Sequence, residues 1–499
     1  MRALLAVTLL GGCATVAPPK GNPALSKHAE AVDWQKAGDE AVTVLSAYLK
    51  VDTRNPPGNE TLGTAFLAAI LEREGIASTV HEFAPGRGSL IARLTATGPA
   101  EDKPLCLLSH IDVVPAEDKE WPADTQPLSG AVKDGFVWGR GALDMKGLGA
   151  IELMTLVLLK RADVPLRRDV VLLAVADEEI DDRGMHLVVD QLWKDVDCGV
   201  LVNEGGIGLK DLLEKGETVF PITVAEKGTL WLRLVAKGEA GHGSTPMPTR
   251  APARLLRAID TLYARKPRPL IHPALYELLR RAGEHQGGLS GFVMQHPALV
   301  DLFAVGRLMS RPPTRAGITN TCQVTGFEGK GSEPNVVPSE VAAIVDCRVL
   351  PSTTPGQLLL ELQELLAGEE GVHLEVLHQE PGSESTWDDP LFEALVRHLT
   401  GARSDVVAGP AISPGYTDSN LARPKGTKAF GIVPFEIDAE LLGTMHGKNE
   451  RVPVAQVKRG LEVLFRSVVD AAGRETRSGR AEHVPSPAEG SRPALDQCP

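Results

Sequence analysis

The run Leu107-Leu108-Ser109-His110-Ile111-Asp112-Val113-Val114 constrains this chain more than any other stretch. Its apolar residues read as a buried strand that delivers a histidine at its carboxyl end and an aspartate two residues on. Side chains alternate along a strand, so His110 and Asp112 face the same side. In open α/β sheets, sites form just beyond the carboxyl ends of strands. The arrangement recurs twice: residues 169–176 run into Asp177-Glu178-Glu179, and residues 199–202 run into Asn203-Glu204-Gly205-Gly206. Between them, the glycines of Gly139-Arg140-Gly141-Ala142-Leu143-Asp144-Met145-Lys146-Gly147 allow tight turns and place Asp144 in a loop. A long apolar helix is expected over 148–160. Strands alternating with helices imply an α/β fold, with a mainly parallel sheet covered by helices on both faces.

A chain of 499 residues is too long for one compact core. Near Glu226 the pattern changes. Strands of alternating character are expected at 229–238, 321–327, 340–349 and 372–378, with helices at 251–264 and 355–367. This β-α-β-β-α-β order describes a separate two-layer α+β domain. From Pro390 the helix-and-strand pattern returns; residues 405–408 and 428–432 would rejoin the first sheet, and 453–472 would form a terminal helix. The expected division is a catalytic domain over 33–225, an inserted lid or dimerisation domain over 226–380, the rest of the catalytic domain over 381–475, and a disordered tail over 476–499.

The first residues carry a different signal. Arg2 precedes an apolar run and then Gly11-Gly12-Cys13, a short signal-peptide pattern. Leu10-Gly11-Gly12-Cys13 resembles a bacterial lipobox, which would make 1–13 a signal peptide, Cys13 the lipidation site and 14–32 a tether. The expected location is that of an exported bacterial lipoprotein, periplasmic or attached to the outer membrane, with plain secretion as the alternative. Membrane contact would then run only through the lipid. The net charge of −13 argues against nucleic acid as a partner, since phosphate binding needs clustered Lys and Arg. The cysteines after Cys13 are Cys106, Cys198, Cys322, Cys347 and Cys498. Cys322 and Cys347 lie in strand-like runs and could pair in an exported protein; two buried free thiols are the favoured reading.

Taken singly, the polar groups at the strand ends have ordinary explanations. His110 and Asp112 could be a structural hydrogen bond, Asp144 a turn residue, Glu178-Glu179 an exposed acidic loop, and His446 a surface histidine. Together they suggest a metal site. Neutral imidazole and carboxylates ligate zinc, and a carboxylate commonly orients a ligating histidine. Adjacent carboxylates after a buried strand would repel unless a cation relieved them.

These stretches, with Met445-His446-Gly447-Lys448-Asn449-Glu450, resemble the M20 metallopeptidases in the family's motif order, over roughly residues 34 to 472. The resemblance implies a hydrolase with two Zn(2+), for which Co(2+) or Mn(2+) could substitute. His110, Asp144 and Glu204 would hold one ion; Asp144, Glu179 and His446 would hold the other, Asp144 bridging. Asp112 would orient His110, and Glu178 would be the general base on water held at the metals. The substrate would be a small peptide or an N-acyl amino acid, cleaved to release a free amino acid. Gly241-His242-Gly243-Ser244-Thr245-Pro246 resembles the lid motif whose histidine stabilises the oxyanion across a homodimer. Asn335 and Arg348 match lid positions that hold the substrate carboxylate. Gly415 and Thr417 match the glycine-rich loop of the substrate pocket. The long segment 266–315 resembles the branch of carboxypeptidase S and N-acyl-amino-acid hydrolases. Two rivals stand beside this reading: a metal-dependent esterase or other non-peptide hydrolase, and a catalytically dead tethered peptide-binding protein.

Overall fold

The computed structural model describes residues 23–329 and 333–475. The lipobox with Cys13, the tail 476–499 and Cys498 lie outside the described residues. The large sheet runs in the order Ser78–Ala84, Arg87–Leu94, Val170–Val175, Leu105–His110, Val200–Lys210, Lys428–Ile437, Thr218–Glu226, Ser383–Glu384, and Val406–Ser413 also pairs with Thr218–Glu226. The pairings at its centre are parallel, and the Ser78–Ala84 edge is antiparallel.

Strand Leu105–His110 is buried along its whole length. Its alternate residues enter two separate cores: Leu105 and Leu107 pack with Leu172 and Val202 on one face, Cys106 and Leu108 with Leu173 and Leu201 on the other. Each buried Leu contributes about 1.5–3 kcal/mol relative to exposure. Helix Lys146–Arg161 follows the Asp144 loop and is buried nearly throughout, which explains its unbroken apolar sequence. The terminal helix Val454–Ala472 rests on the same core.

The smaller sheet has the order Thr321–Gly329, Glu340–Val349, Gly228–Lys237, Val372–Glu380. Helices Ala251–Ala264 and Pro355–Leu366 cover one face through Leu255, Leu262, Leu358 and Leu362. The observed element order is the expected β-α-β-β-α-β. Only Lys227 separates strand Thr218–Glu226 of the large sheet from Gly228–Lys237 of the small one.

Three expectations need correction. Part of the expected tether, Pro23–Glu30, is a helix; Leu25 and Ala29, four residues apart, put one face into the main core. The segment 266–315, which the expected division places in the inserted domain, is mostly helical, and its helix Pro273–Gln286 packs Leu278 and Ala282 against Val219, Val407 and Ala411 of the large sheet instead. The four cysteines among the described residues are not free thiols. Cys106 pairs with Cys198, and Cys322 with Cys347. Cys322 and Cys347 are directly opposed across antiparallel strands. Cys198 lies two residues before the start of the strand that pairs with Leu105–His110, so sheet formation brings it to Cys106 from 92 residues away.

Candidate metal centre and active-site cavity

His110 ends its strand with its ring buried, and Nδ1 lies 2.9 Å from the backbone oxygen of Asp112. That contact fixes the ring, leaving Nε2 3.1 Å from Oδ1 of Asp144 and 3.6 Å from Glu204. The other oxygen of Asp144, Oδ2, lies 2.9 Å from Nε2 of His446, which is also 3.4 Å from Glu179. The two oxygens of Asp144 therefore face two separate imidazoles. Asp112 is fully buried and accepts the main-chain N–H groups of Glu178 and Glu179, each at 3.2 Å. It thus shapes the glutamate turn as well as standing beside His110.

The electrostatics of this cluster are those of acids crowded without a cation. Burial, reinforced by Glu204 and Glu179 and opposed by His110, pushes Glu178 well above the usual carboxylate range. Burial and the neighbouring Asp144 do the same to Glu204. For Asp144, burial is outweighed by hydrogen bonds from His110 and His446, which hold it low. The contact with Asp144, followed by that with Glu179, pushes His446 up to about 10. Burial would lower His110, but Asp112 and Asp144 prevail and raise it.

Metal ions fit this donor set. His110, Asp144 and Glu179 offer ligand atoms within 4.8 Å of one another, as do His110, Glu178 and Glu204. Oε1 of Glu179 is buried with no hydrogen-bond partner among the described residues. A third acidic group, Glu60, Asp112 and Asp177, is equally close but already satisfied. Arg87 pairs with Glu60 at 2.7 Å and with Asp177, while Asn55 donates to Asp112 and Asp177, each at 2.9 Å.

The centre opens into a cavity of about 810 Å³ lined by Asp144, Glu178, Glu179, Glu204 and His446 from the large domain and by Thr229, Trp231, Arg348, His378 and Glu380 from the small one. Gly415 and Thr417 line it as well. Thr417 is committed to the wall: its N–H and hydroxyl both donate to buried Glu226, at 3.0 and 2.9 Å. Arg348 borders the cavity and also pairs with Asp346 at 3.1 Å. His242 and Asn335 are placed differently. They lie 3.4 Å apart on an exposed two-stranded ribbon, and neither lines the cavity within one chain.

Sequence reasoning missed the residues that hold the site from behind. Nothing in the local sequence singles out Asn55 or Arg87, and Glu450 stands out only as the last residue of the Met445–Glu450 motif. Glu450 is buried and accepts N–H groups from Gly141, Leu143 and Asp144 while pairing with Arg140 at 2.5 Å.

Residues 106–470 match the peptidase family M20/M25/M40. The chain belongs to this family. As an M20 protein it is a hydrolase of C–N bonds. It is 28% identical over 380 residues to the human N-fatty-acyl-amino acid synthase/hydrolase PM20D1, covering 74% of each chain. It is 28% identical over 443 residues to rat aminoacylase-1A, covering 87% of this chain and 95% of the relative. The M20 fold is also that of the Sulfolobus solfataricus metallo-carboxypeptidase Sso-CP2, with a TM-score of 0.64 at 19% identity, covering 87% of this chain and 99% of the other. Human carnosine dipeptidase 1 superposes with a TM-score of 0.58 at 17% identity, covering 91% and 99%.

Proposed function

We propose that this M20 hydrolase binds two zinc ions and cleaves an amide to release a free amino acid, from a small peptide or an N-acyl amino acid. The single observation that carries this reading is the placement of Asp144, whose two oxygens face His110 at 3.1 Å and His446 at 2.9 Å. His110, Asp144 and Glu204 would hold one ion, and Asp144, Glu179 and His446 the other; cobalt or manganese suits the same donors. When bound, the ions supply Lewis acidity at the carbonyl and acidify water.

The chain's own residues do the rest. Asp112 keeps the His110 ring oriented through the Nδ1 contact and holds the glutamate turn. Glu178 lines the cavity beside the candidate ligands. It takes the proton from the attacking water and returns it to the leaving amine. Arg348 is the one Arg or Lys among the described residues lining the cavity, and it suits the substrate carboxylate. His242 and Asn335 would complete the site from a second copy of the chain. The two disulfides support an exported protein, consistent with the Cys13 lipobox, because reducing compartments disfavour them.

The test is metal content and turnover together, with and without chelator, on a panel of dipeptides, N-acyl amino acids and matched esters. About two ions per chain in both wild type and Glu178→Gln, with turnover lost by about 10²–10⁴-fold only in the variant, is the expected result. A wild type that holds no metal, or that cleaves only esters, overturns the reading.

A further inference from the structure

Between helix Pro273–Gln286 and the lid strand Thr321–Gly329 the chain forms a bent pair of helices, Gly288–Met294 and Pro297–Ser310. The inner face of this pair is committed. Gly291 and Gly283 lie so close that a side-chain carbon on either would strike the other's backbone, and Val300 and Leu308 are buried. The outer face is apolar as well, yet uncovered. Leu289 is 81% exposed, Leu302 70%, Phe303 66% and Phe292 52%. Gly288–Met294 packs against Val300–Ala304, so these side chains belong to one surface. Isolated exposed leucines are ordinary, but a contiguous apolar patch marks an interaction site.

No described helix is long and apolar enough to cross a membrane. Gly288–Met294 and Pro297–Ser310 reach that apolarity only together, with a bend of 105° between them. At 1.5 Å per residue neither one spans a hydrocarbon core of roughly 30 Å. Such helices are suited to lying in a membrane surface.

Charge points the same way. The chain holds 65 acidic residues in 499, yet between Glu284 and Glu328 the sequence has one, Asp301. Its carboxylate accepts the Tyr276 hydroxyl at 2.5 Å. Arg307, Arg311 and Arg315 follow, all exposed. Glu214, 4.0 Å from Arg307, is the one acid paired with any of the three among the described residues. Apolar side chains beside arginines, with acids withdrawn, match a surface that enters the headgroup boundary while its cations meet anionic lipid. A two-fold contact between copies would instead set this patch against itself, and arginine against arginine.

We infer that this bent helical pair docks on a phospholipid surface bearing anionic headgroups, with Leu289, Phe292, Leu302 and Phe303 entering it. On the lipobox reading of Cys13 a bilayer is at hand, because Pro23 follows Cys13 by ten residues, at most roughly 35 Å of chain. The lipid would hold the protein near the membrane, and the helical pair would set which side faces it. None of the four side chains lines the active-site cavity, so docking leaves that cavity open to soluble substrate.

The test is flotation with vesicles made of equal parts phosphatidylglycerol and phosphatidylcholine, and with vesicles of phosphatidylcholine alone. The full chain carries Cys13→Ser, so no acyl group contributes. Burying one Leu or Phe side chain is worth about tenfold or more in affinity. Leu302→Ser with Phe303→Ser should therefore weaken partitioning by at least about tenfold, with circular dichroism unchanged. Arg307→Gln with Arg315→Gln should weaken binding to the anionic vesicles alone. Phe303→Trp reads insertion at the site itself: brominated lipid should quench its added fluorescence, but not that of Phe327→Trp on the lid sheet. Equal partitioning of the Leu302/Phe303 variant and its parent, or no quenching at Phe303→Trp, overturns the inference. So does a Leu302/Phe303 variant that changes only sedimentation, from dimer to monomer, which would assign the face to a second copy of the chain.

Discussion

Glu450 accepts the main-chain N–H of Asp144 at 3.2 Å, although the two residues lie 306 positions apart. The same carboxylate takes the N–H groups of Leu143 and Gly141, at 2.8 and 3.1 Å. One buried acid from the end of the chain thus sets the backbone of the loop that presents the candidate bridging ligand. Glu450→Gln replaces an acceptor pair with one acceptor and one donor, and it leaves Arg140 without its counter-charge. Metal affinity should fall by about 10–100-fold, the usual effect of losing an outer partner of a ligand. Competition with a chromophoric chelator measures this, and circular dichroism should show the fold retained.

Arg348 should act on substrate rather than on chemistry. Arg348→Ala is expected to raise KM for substrates with a free carboxylate by about 10–100-fold, with a smaller effect on kcat. For the matching carboxamides the variant and wild type should differ little. Steady-state kinetics on the acid and amide pair decides it. Equal losses on both would assign Arg348 to the strand-face ion pair with Asp346.

Lys227, fully buried between the two sheets, gives a pH signature. Burial, with Arg348 adding to it, pulls its pKa down from 10.5 to about 8. Below pH 8 the amine is charged in both folded and unfolded chains, and the folded state bears the full cost of burying the charge. Between pH 8 and 10.5 the unfolded chain holds the proton and the folded one does not, so stability rises with pH. Lys227→Met should therefore be more stable than wild type below pH 8, and this advantage should shrink as pH rises through that window. Urea midpoints at pH 7, 9 and 10.5 test it; a pH-independent difference would refute it.

The two disulfides should contribute unequally. Their sequence separations are 92 and 25 residues for Cys106–Cys198 and Cys322–Cys347. Loop-closure entropy puts their contributions at about 4.6 and about 3.5 kcal/mol. Paired Cys→Ser variants, compared by denaturant unfolding, should show the larger loss for Cys106 with Cys198.

Much of this was legible in the sequence for one physical reason. A strand buried on both faces must be apolar, so a polar residue at its end stands out, and His110, Glu178, Glu179 and Glu204 were visible that way. The lid's order followed from alternation on a half-exposed sheet. What stayed hidden depends on contacts between distant segments. Nothing local marks Asn55 or Arg87 as the partners of Asp112 and Asp177. Cys106 and Cys198 are joined only because their strands are neighbours. Helix Pro273–Gln286 follows the lid's first helix in sequence, yet its apolar face fits the other domain. Periodicity marks a face as apolar and says nothing about which surface will receive it.

The insertion of the small sheet between the two parts of the large one has a consequence for biosynthesis. His110 and His446 are 336 residues apart, and the whole lid emerges from the ribosome between them. At about 5–20 residues per second, roughly 20–70 s separate the first candidate ligand from the last. A nascent or prematurely terminated chain therefore lacks the His446 half of the centre and the Glu450 that shapes its loop. On the proposed ligand set, competence for catalysis would arrive only once residues 446–450 have been made, so a chain cut short before them would be inactive.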